Sequence, residues 1–291
     1  MSWIARIFLN LAILAVTALP ILILTIWVAP AHRGFFCNDE SLAYPYHSST
    51  VHSWMLYVGG FGVPMLTILV CEAINAPKIG TYFQSLIPVL ISFLFGAAMS
   101  QLVTDICKYT IGRLRPHFFD VCQPTYNATE CSFSLSTYVT NYSCPGNTNL
   151  FDPIELQSRL KEIHLSFPSG HASFSFQAAT YTVIYLQFMI MKNKWPRNSL
   201  VVPFVQTLVV CLAVFTAASR VMDNKHHPTD VLAGVVIGVL AQILNTVISA
   251  NILNAASGVG IISLEEDNRE LERIRTDVES TDYNSIPRAN I

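Results

Sequence analysis

Charge is what this chain has least of. Only 12% of its 291 residues are Asp, Glu, Lys or Arg, about half the share of roughly 25% found in soluble globular proteins. That shortage excludes an ordinary water-soluble domain, and a mean hydropathy of +0.44 points the same way. A basic excess is missing as well. The net charge of -2 argues against a nucleic-acid surface, so no nucleic acid is expected among the partners. Internal repeats and low-complexity blocks are also absent, which excludes a repeat architecture.

Hydrophobic sequence is abundant, at 52% of residues. A bilayer-spanning helix needs about 20 predominantly apolar residues. Six stretches qualify or nearly do, at about 7–29, 54–71, 83–104, 172–191, 200–218 and 231–253. The first is longer than the roughly 7–15 residue core of a signal peptide and is read as a retained helix. The expected fold is an all-α polytopic membrane protein with six transmembrane helices. Residues 1–264 form the membrane domain. Residues 265–291 form an acidic cytoplasmic tail expected to be disordered. In that tail, Tyr283 to Ile286 has the shape of a tyrosine-based sorting signal.

Six spans put both termini on one side. Loops one, three and five then share the other side, and the third, from about 105 to 171, is the longest. Lys192, Lys194 and Arg197 make the fourth loop cytoplasmic by the positive-inside rule. Asn127 and Asn141 begin glycosylation tripeptides, usable only on the lumenal or extracellular side. Cys37, Cys122, Cys131 and Cys144 all fall in odd loops, an even number in an oxidising space. Four cysteines allow three pairings, and the sequence does not choose among them. Cys71, Cys107 and Cys211 read as ordinary apolar residues. Gly234 and Gly238 form a small-residue pair that lets another helix approach closely, in-chain packing being favoured over a second copy.

The few charges are concentrated in three islands on odd loops. Lys108 and Arg115 lie about two helical turns apart, so on a helix that runs to Pro116 both project from one face. They can grip a phosphate, Arg115 through a planar fork and Lys108 as a point charge. As a bland alternative, they would anchor a span end at the headgroups. Arg113 is off this face and is read as interfacial. In the second island, Ser169 is a candidate N-cap, Gly170 permits close backbone approach, and His171 stands where it can protonate a leaving oxygen. In the third, Arg220 adds a cation. His226 and Asp230 are four apart and would face each other on a helix, although Pro228 lies between them. A carboxylate on one imidazole nitrogen makes the other a better nucleophile. Two histidines and an aspartate can also bind zinc. Three neighbouring cations suit an oxyanion instead, so neither a metal nor another cofactor is expected.

These islands resemble the three signature motifs of the type 2 phosphatidate phosphatase superfamily, with matching internal spacings. The stretches 33–37, 44–46, 111–117 and 219–234 resemble the animal lipid phosphate phosphatases in particular. The resemblance implies six helices with the site on the lumenal or extracellular face, in the plasma membrane or endomembranes. It implies magnesium-independent removal of phosphate from phosphatidate, lysophosphatidate, ceramide 1-phosphate and sphingosine 1-phosphate. Carried over residue by residue, His226 becomes the phosphohistidine nucleophile, Asp230 orients it, and His171 is the acid and then the base. Lys108, Arg115, Ser169, Gly170 and Arg220 hold the phosphate. The expected partners are lipid phosphates and membrane lipids, with a homo-oligomer left open. The competing reading is a catalytically silent lipid-binding or adhesion relative on the same fold.

Overall fold

A computed structural model describes residues 2–76, 78–127, 131, 137–191 and 199–256. The basic segment of the fourth loop, the tail and its sorting-signal pattern lie outside the described residues. Eight helices are described: α1 Trp3–Trp27, α2 Ser53–Asn75, α3 Ile79–Ile111, α4 Phe118–Cys122, α5 Pro153–Glu162, α6 Gly170–Met191, α7 Val201–Met222 and α8 Pro228–Ala256. Two short strands, β1 Phe35–Phe36 and β2 Tyr138–Val139, pair antiparallel with Phe35 opposite Val139.

Five of these helices are long and apolar enough to cross a membrane: α1, α2, α3, α7 and α8. The sixth expected span, α6, has 22 residues but is not among them. Its position in the bundle explains why. It packs against α2, α3, α7 and α8, and its polar residues Ser173, Gln177 and Thr182 are buried. A helix surrounded by protein does not need the uniformly apolar surface that lipid demands. Gln177 donates to Gln242 of α8 at 2.9 Å, and Asn245 donates to the Ser92 carbonyl of α3 at 3.1 Å. Such interhelical bonds satisfy side chains that hydrocarbon cannot solvate.

The small-residue pair on α8 finds its partner inside the chain. A Cβ on Gly234 would strike the Ser169 carbonyl oxygen, and one on Gly238 would strike that of Ser173. The two backbones can approach only because neither position carries a side chain. Their contact brings the start of α6 against the start of α8.

A second apolar core sits at this end of the bundle. Phe35, Leu114, Phe118, Val121, Val139, Phe151 and Ile163 are buried together. Disulfides join Cys37 to Cys131 and Cys122 to Cys144, closing separations of 94 and 22 residues. In the chain-entropy model each contributes roughly 3–5 kcal/mol. Cys71, Cys107 and Cys211 are free. Asn127 and Asn141 are exposed in irregular backbone on this same cap. The cap holds the long loop over the ends of α3, α6, α7 and α8, where the three islands meet.

Candidate active site

Lys108 lies in the last turn of α3. The helix stops at Ile111 because Gly112 is left-handed, at φ 59°, a conformation glycine adopts without strain. Its N–H donates to the Lys108 carbonyl at 3.1 Å. The stop comes well before Pro116, so the one-face argument for Lys108 and Arg115 does not describe their geometry. Arg115 is instead held beyond the helix. Its backbone N–H donates to the Ile163 carbonyl at 2.9 Å, and its guanidinium pairs with Glu162 at 3.0 Å. Ending the helix at Gly112 also redirects Arg113, which was expected at the headgroup interface. Its guanidinium reaches Asp230 at 2.5 Å.

The start of α6 follows from its cap. Ser169 Oγ accepts from the Ala172 N–H at 3.4 Å, and its own N–H donates to the Asp230 carbonyl at 2.9 Å. Gly170 lies against Lys108, and a Cβ there would stand 3.1 Å from the ammonium. At the end of α7, Arg220 donates to the Val51 carbonyl and Ser49 Oγ at 3.3 and 3.4 Å, with Asp223 at 3.6 Å. The chain then turns back on itself through Asn224, left-handed at φ 53°. The Lys225 and His226 N–H groups both donate to the Arg220 carbonyl. His117 Nδ1 donates to the Asn224 carbonyl at 2.7 Å and pins the turn.

This turn sets the environment of His226. Its Nδ1 lies 2.6 Å from the Ser166 carbonyl oxygen. A carbonyl only accepts, so Nδ1 carries the proton and Nε2 carries the lone pair. The direct bond to Asp230 that the spacing suggests does not form, the separation being 3.9 Å. The reason is local: α8 begins at Pro228, so His226 precedes the helix and is off its i,i+4 ladder. Asp230 Oδ2 instead accepts from Ser166 Oγ at 2.6 Å and from the His227 N–H and Nδ1 at 3.0 and 3.1 Å. Ser166 thus links the carboxylate to His226, by its hydroxyl on one side and its carbonyl on the other.

Lys108, Arg115, Gly170, His171, Arg220 and His226 line one cavity of about 190 Å³. Ser169 and Asp230 stand behind it rather than in its wall. Sequence reasoning missed Glu162, Ser166 and Lys225. Glu162 lines the cavity and joins Arg115 to Arg159, at 3.0 and 2.8 Å. Burial alone would push its carboxyl up, but the two guanidiniums prevail and hold it well below the usual carboxylate range. Lys225 is 1% exposed, with its ammonium 3.5 Å from the Tyr46 ring centre. Burial brings it down to about 7, against the pull of Glu162. Its place beside His226 was the one available sequence signal. Among the described residues, no three His, Cys, Asp or Glu side chains cluster as a metal ion requires.

Among the described residues, four buried nitrogens of the side chains around this cavity have no hydrogen-bond partner: Arg115 Nε, Arg115 Nη1 (which keeps its ion pair with Glu162), Arg220 Nε and His171 Nε2. Buried donors are normally satisfied, and leaving one bare costs about 1–3 kcal/mol. Guanidiniums in the wall of a cavity with N–H groups to spare suit an oxyanion.

Burial and the same cations govern protonation. Desolvation first, then Arg115, holds His226 well below 6.5 and brings His117 to about 3. Both are neutral when folded, while the unfolded chain takes up protons near 6.5. Stability should therefore fall as pH drops from 6.5 towards 3, by about 1.4 kcal/mol per pH unit per histidine. Thermal unfolding in detergent at pH 7 and pH 5 measures this. His117→Asn keeps a donor for Asn224 without titrating, and should lessen the slope by one histidine's share, about 1.4 kcal/mol per pH unit. An unchanged slope would mean that these histidines do not control it.

Known proteins resemble this chain over most of its length. The chain is 39% identical over 263 residues to a putative phosphatidate phosphatase of Drosophila melanogaster, covering 82% of this chain and 67% of that protein. It is 37% identical over 250 residues to phospholipid phosphatase 1 of Rattus norvegicus, covering 81% and 82%. It is 35% identical over 248 residues to phospholipid phosphatase 2 of the same species, covering 82% and 83%. No solved structure matches significantly. A family model matches residues 89–252, a segment that includes all three charged islands. On these matches the chain belongs to the PAP2 superfamily.

Proposed function

We propose that this chain is a lipid phosphate phosphohydrolase working through a phosphohistidine on His226. The observation that carries the reading is one cavity lined by a tautomer-fixed neutral histidine and by Arg115 and Arg220, each with a guanidinium N–H that has no partner among the described residues. His226 Nε2 attacks phosphorus, and the phosphorus–ester oxygen bond breaks. The leaving alkoxide takes a proton from His171 and departs as an alcohol. Water then attacks the phosphohistidine, His171 takes its proton, the P–N bond breaks, and phosphate leaves. The bound phosphate's negative charge offsets the surrounding cations and favours the protonated form of His171 that the first step needs. Lys108, Arg115 and Arg220 bind the phosphoryl oxygens, supplying the charge stabilisation on which phosphoryl transfer depends. Magnesium is not required in this scheme.

The substrates are lipid monoesters: phosphatidate, lysophosphatidate, ceramide 1-phosphate and sphingosine 1-phosphate. A cleft of about 550 Å³ between α1, α2 and α3 supports this, since it shares Tyr57, Gln101, Lys108, Leu165 and Phe174 with the cavity. Acyl chains can stay in the bilayer while the headgroup enters. The site faces the lumen or the exterior and both termini face the cytoplasm. Disulfides and exposed Asn127 and Asn141 on the cavity's end of the bundle support that orientation.

Phosphate release by detergent-solubilised protein, across these four lipids with magnesium chelated, is the test. Release from at least one lipid, abolished by His226→Ala, is expected. No release from any, with or without magnesium, would leave a silent lipid-binding relative.

A further inference from the structure

We infer that Asp105 forms a second polar subsite, which reads a primary ammonium on the carbon next to the phosphate ester carbon. The inference rests on the phosphatase reading above. It adds preference for 2-amino-alkyl phosphates, such as sphingosine 1-phosphate, over their N-acylated forms.

The cleft that meets the cavity is almost wholly apolar. Its only charged residues are Asp105 and Lys108. Asp105 is 6% exposed and sits within the long apolar helix α3. Both its oxygens accept from the same Gln101 Nε2, each at 2.9 Å. No cation comes within ion-pair distance of it among the described residues. A carboxylate offers about four acceptor sites, so Gln101 leaves most of this one unused. An ionisable group at such depth is costly and is expected to have a working partner. Among the described residues the cation that acts on it is Lys108, without a direct ion pair, and the group lines a cleft open to a ligand.

Position along the helix gives the ligand's chemistry. Asp105 precedes Lys108 by three residues, so it shares its face and lies about 4.5 Å further from the phosphate end. A lipid with its phosphate on Lys108 and its chain in the cleft must pass Asp105 within its first few bonds. An ammonium on the second carbon arrives there as a cation beside the carboxyl, and its charge favours the ionised form of that acceptor. An amide nitrogen at the same place brings no charge. Lys108 is accounted for by the phosphate, which leaves Asp105 for the substrate's own cation.

The test compares kcat/KM for sphingosine 1-phosphate and its N-acetyl derivative in mixed micelles, using the wild-type protein and Asp105→Asn. The ratio of amine to N-acetyl substrate should fall about tenfold or more in the variant, the scale of a lost charged hydrogen bond. If both substrates fall by one common factor, Asp105 acts only on Lys108 and the inference is overturned. An unmoved ratio overturns it too. Wild-type protein gives a check that needs no variant. Sphingosine should inhibit hydrolysis of the N-acetyl substrate about tenfold more strongly than N-acetylsphingosine, and equal inhibition counts against the subsite. Hydrolysis of both substrates with no amine preference removes this inference alone. Hydrolysis of neither removes the phosphatase reading with it.

Discussion

His226→Ala should abolish phosphate release, with a loss of at least about 10⁴-fold in kcat, or about 5.5 kcal/mol of barrier. The argument starts from the tautomer. The Ser166 carbonyl fixes the proton on Nδ1, burial and three cations keep the ring neutral, and the ring lines the cavity. Alanine removes the nitrogen proposed to attack phosphorus. It also leaves the Ser166 carbonyl without its donor, so a stability check in detergent belongs beside the assay. His227→Ala should cost far less. Its ring touches Asp230 at 3.1 Å, yet the ring does not line the cavity, and Asp230 keeps Ser166 and Arg113. Rapid quench with labelled substrate adds a direct readout: the His227→Ala protein should form a labelled phosphoenzyme and the His226→Ala protein none. The reverse pattern would move the nucleophile to His227.

The sequence told most where the physics was local. Apolar length located six long helices, five of them long and apolar enough to cross a membrane, although α3 runs to Ile111, well past its expected end, and the islands named six of the residues that line the cavity, because a chain this apolar spends charge sparingly. It told least where one residue acts through another. The Ser166 carbonyl holds His226 from 60 residues away, and a backbone oxygen has no signature in residue type. Glu162 went unnoticed because its partners, Arg115 and Arg159, meet only when the cap folds. Helical spacing would bring His226 and Asp230 together only on a helix that runs through Pro228, and the helix starts at Pro228, two residues too late to impose the bond. The contact of Arg113 with Asp230 was missed for the same kind of reason. A helix ended by Gly112 sends its following residues in new directions, and a periodicity argument cannot follow them there. The apolarity of α6 was overestimated as a requirement, since a central helix answers to its neighbours rather than to lipid.

Arg115→Lys should lower kcat/KM by about 10²-fold, although charge is conserved. Arg115 has to do two things at once. It is tied to Glu162 by one nitrogen at 3.0 Å, and it keeps a buried Nε–H with no protein partner beside the cavity. A planar fork allows both, whereas a lysine ammonium is a single point that must choose. Next to an ionised Glu162 it would choose the carboxylate, leaving a phosphoryl oxygen without its donor. Loss of one such donor costs about 10²–10³ in rate. Glu162→Gln should cost less, about tenfold, because the Ile163 carbonyl still fixes the Arg115 backbone while one charged tether is lost. The double variant separates the two roles. If Glu162 serves to aim Arg115, the pair is coupled and Arg115→Lys with Glu162→Gln should be little worse than Arg115→Lys alone. Costs that multiply to about 10³-fold would mean that Glu162 acts independently of Arg115, through Lys225 or the shape of the cavity.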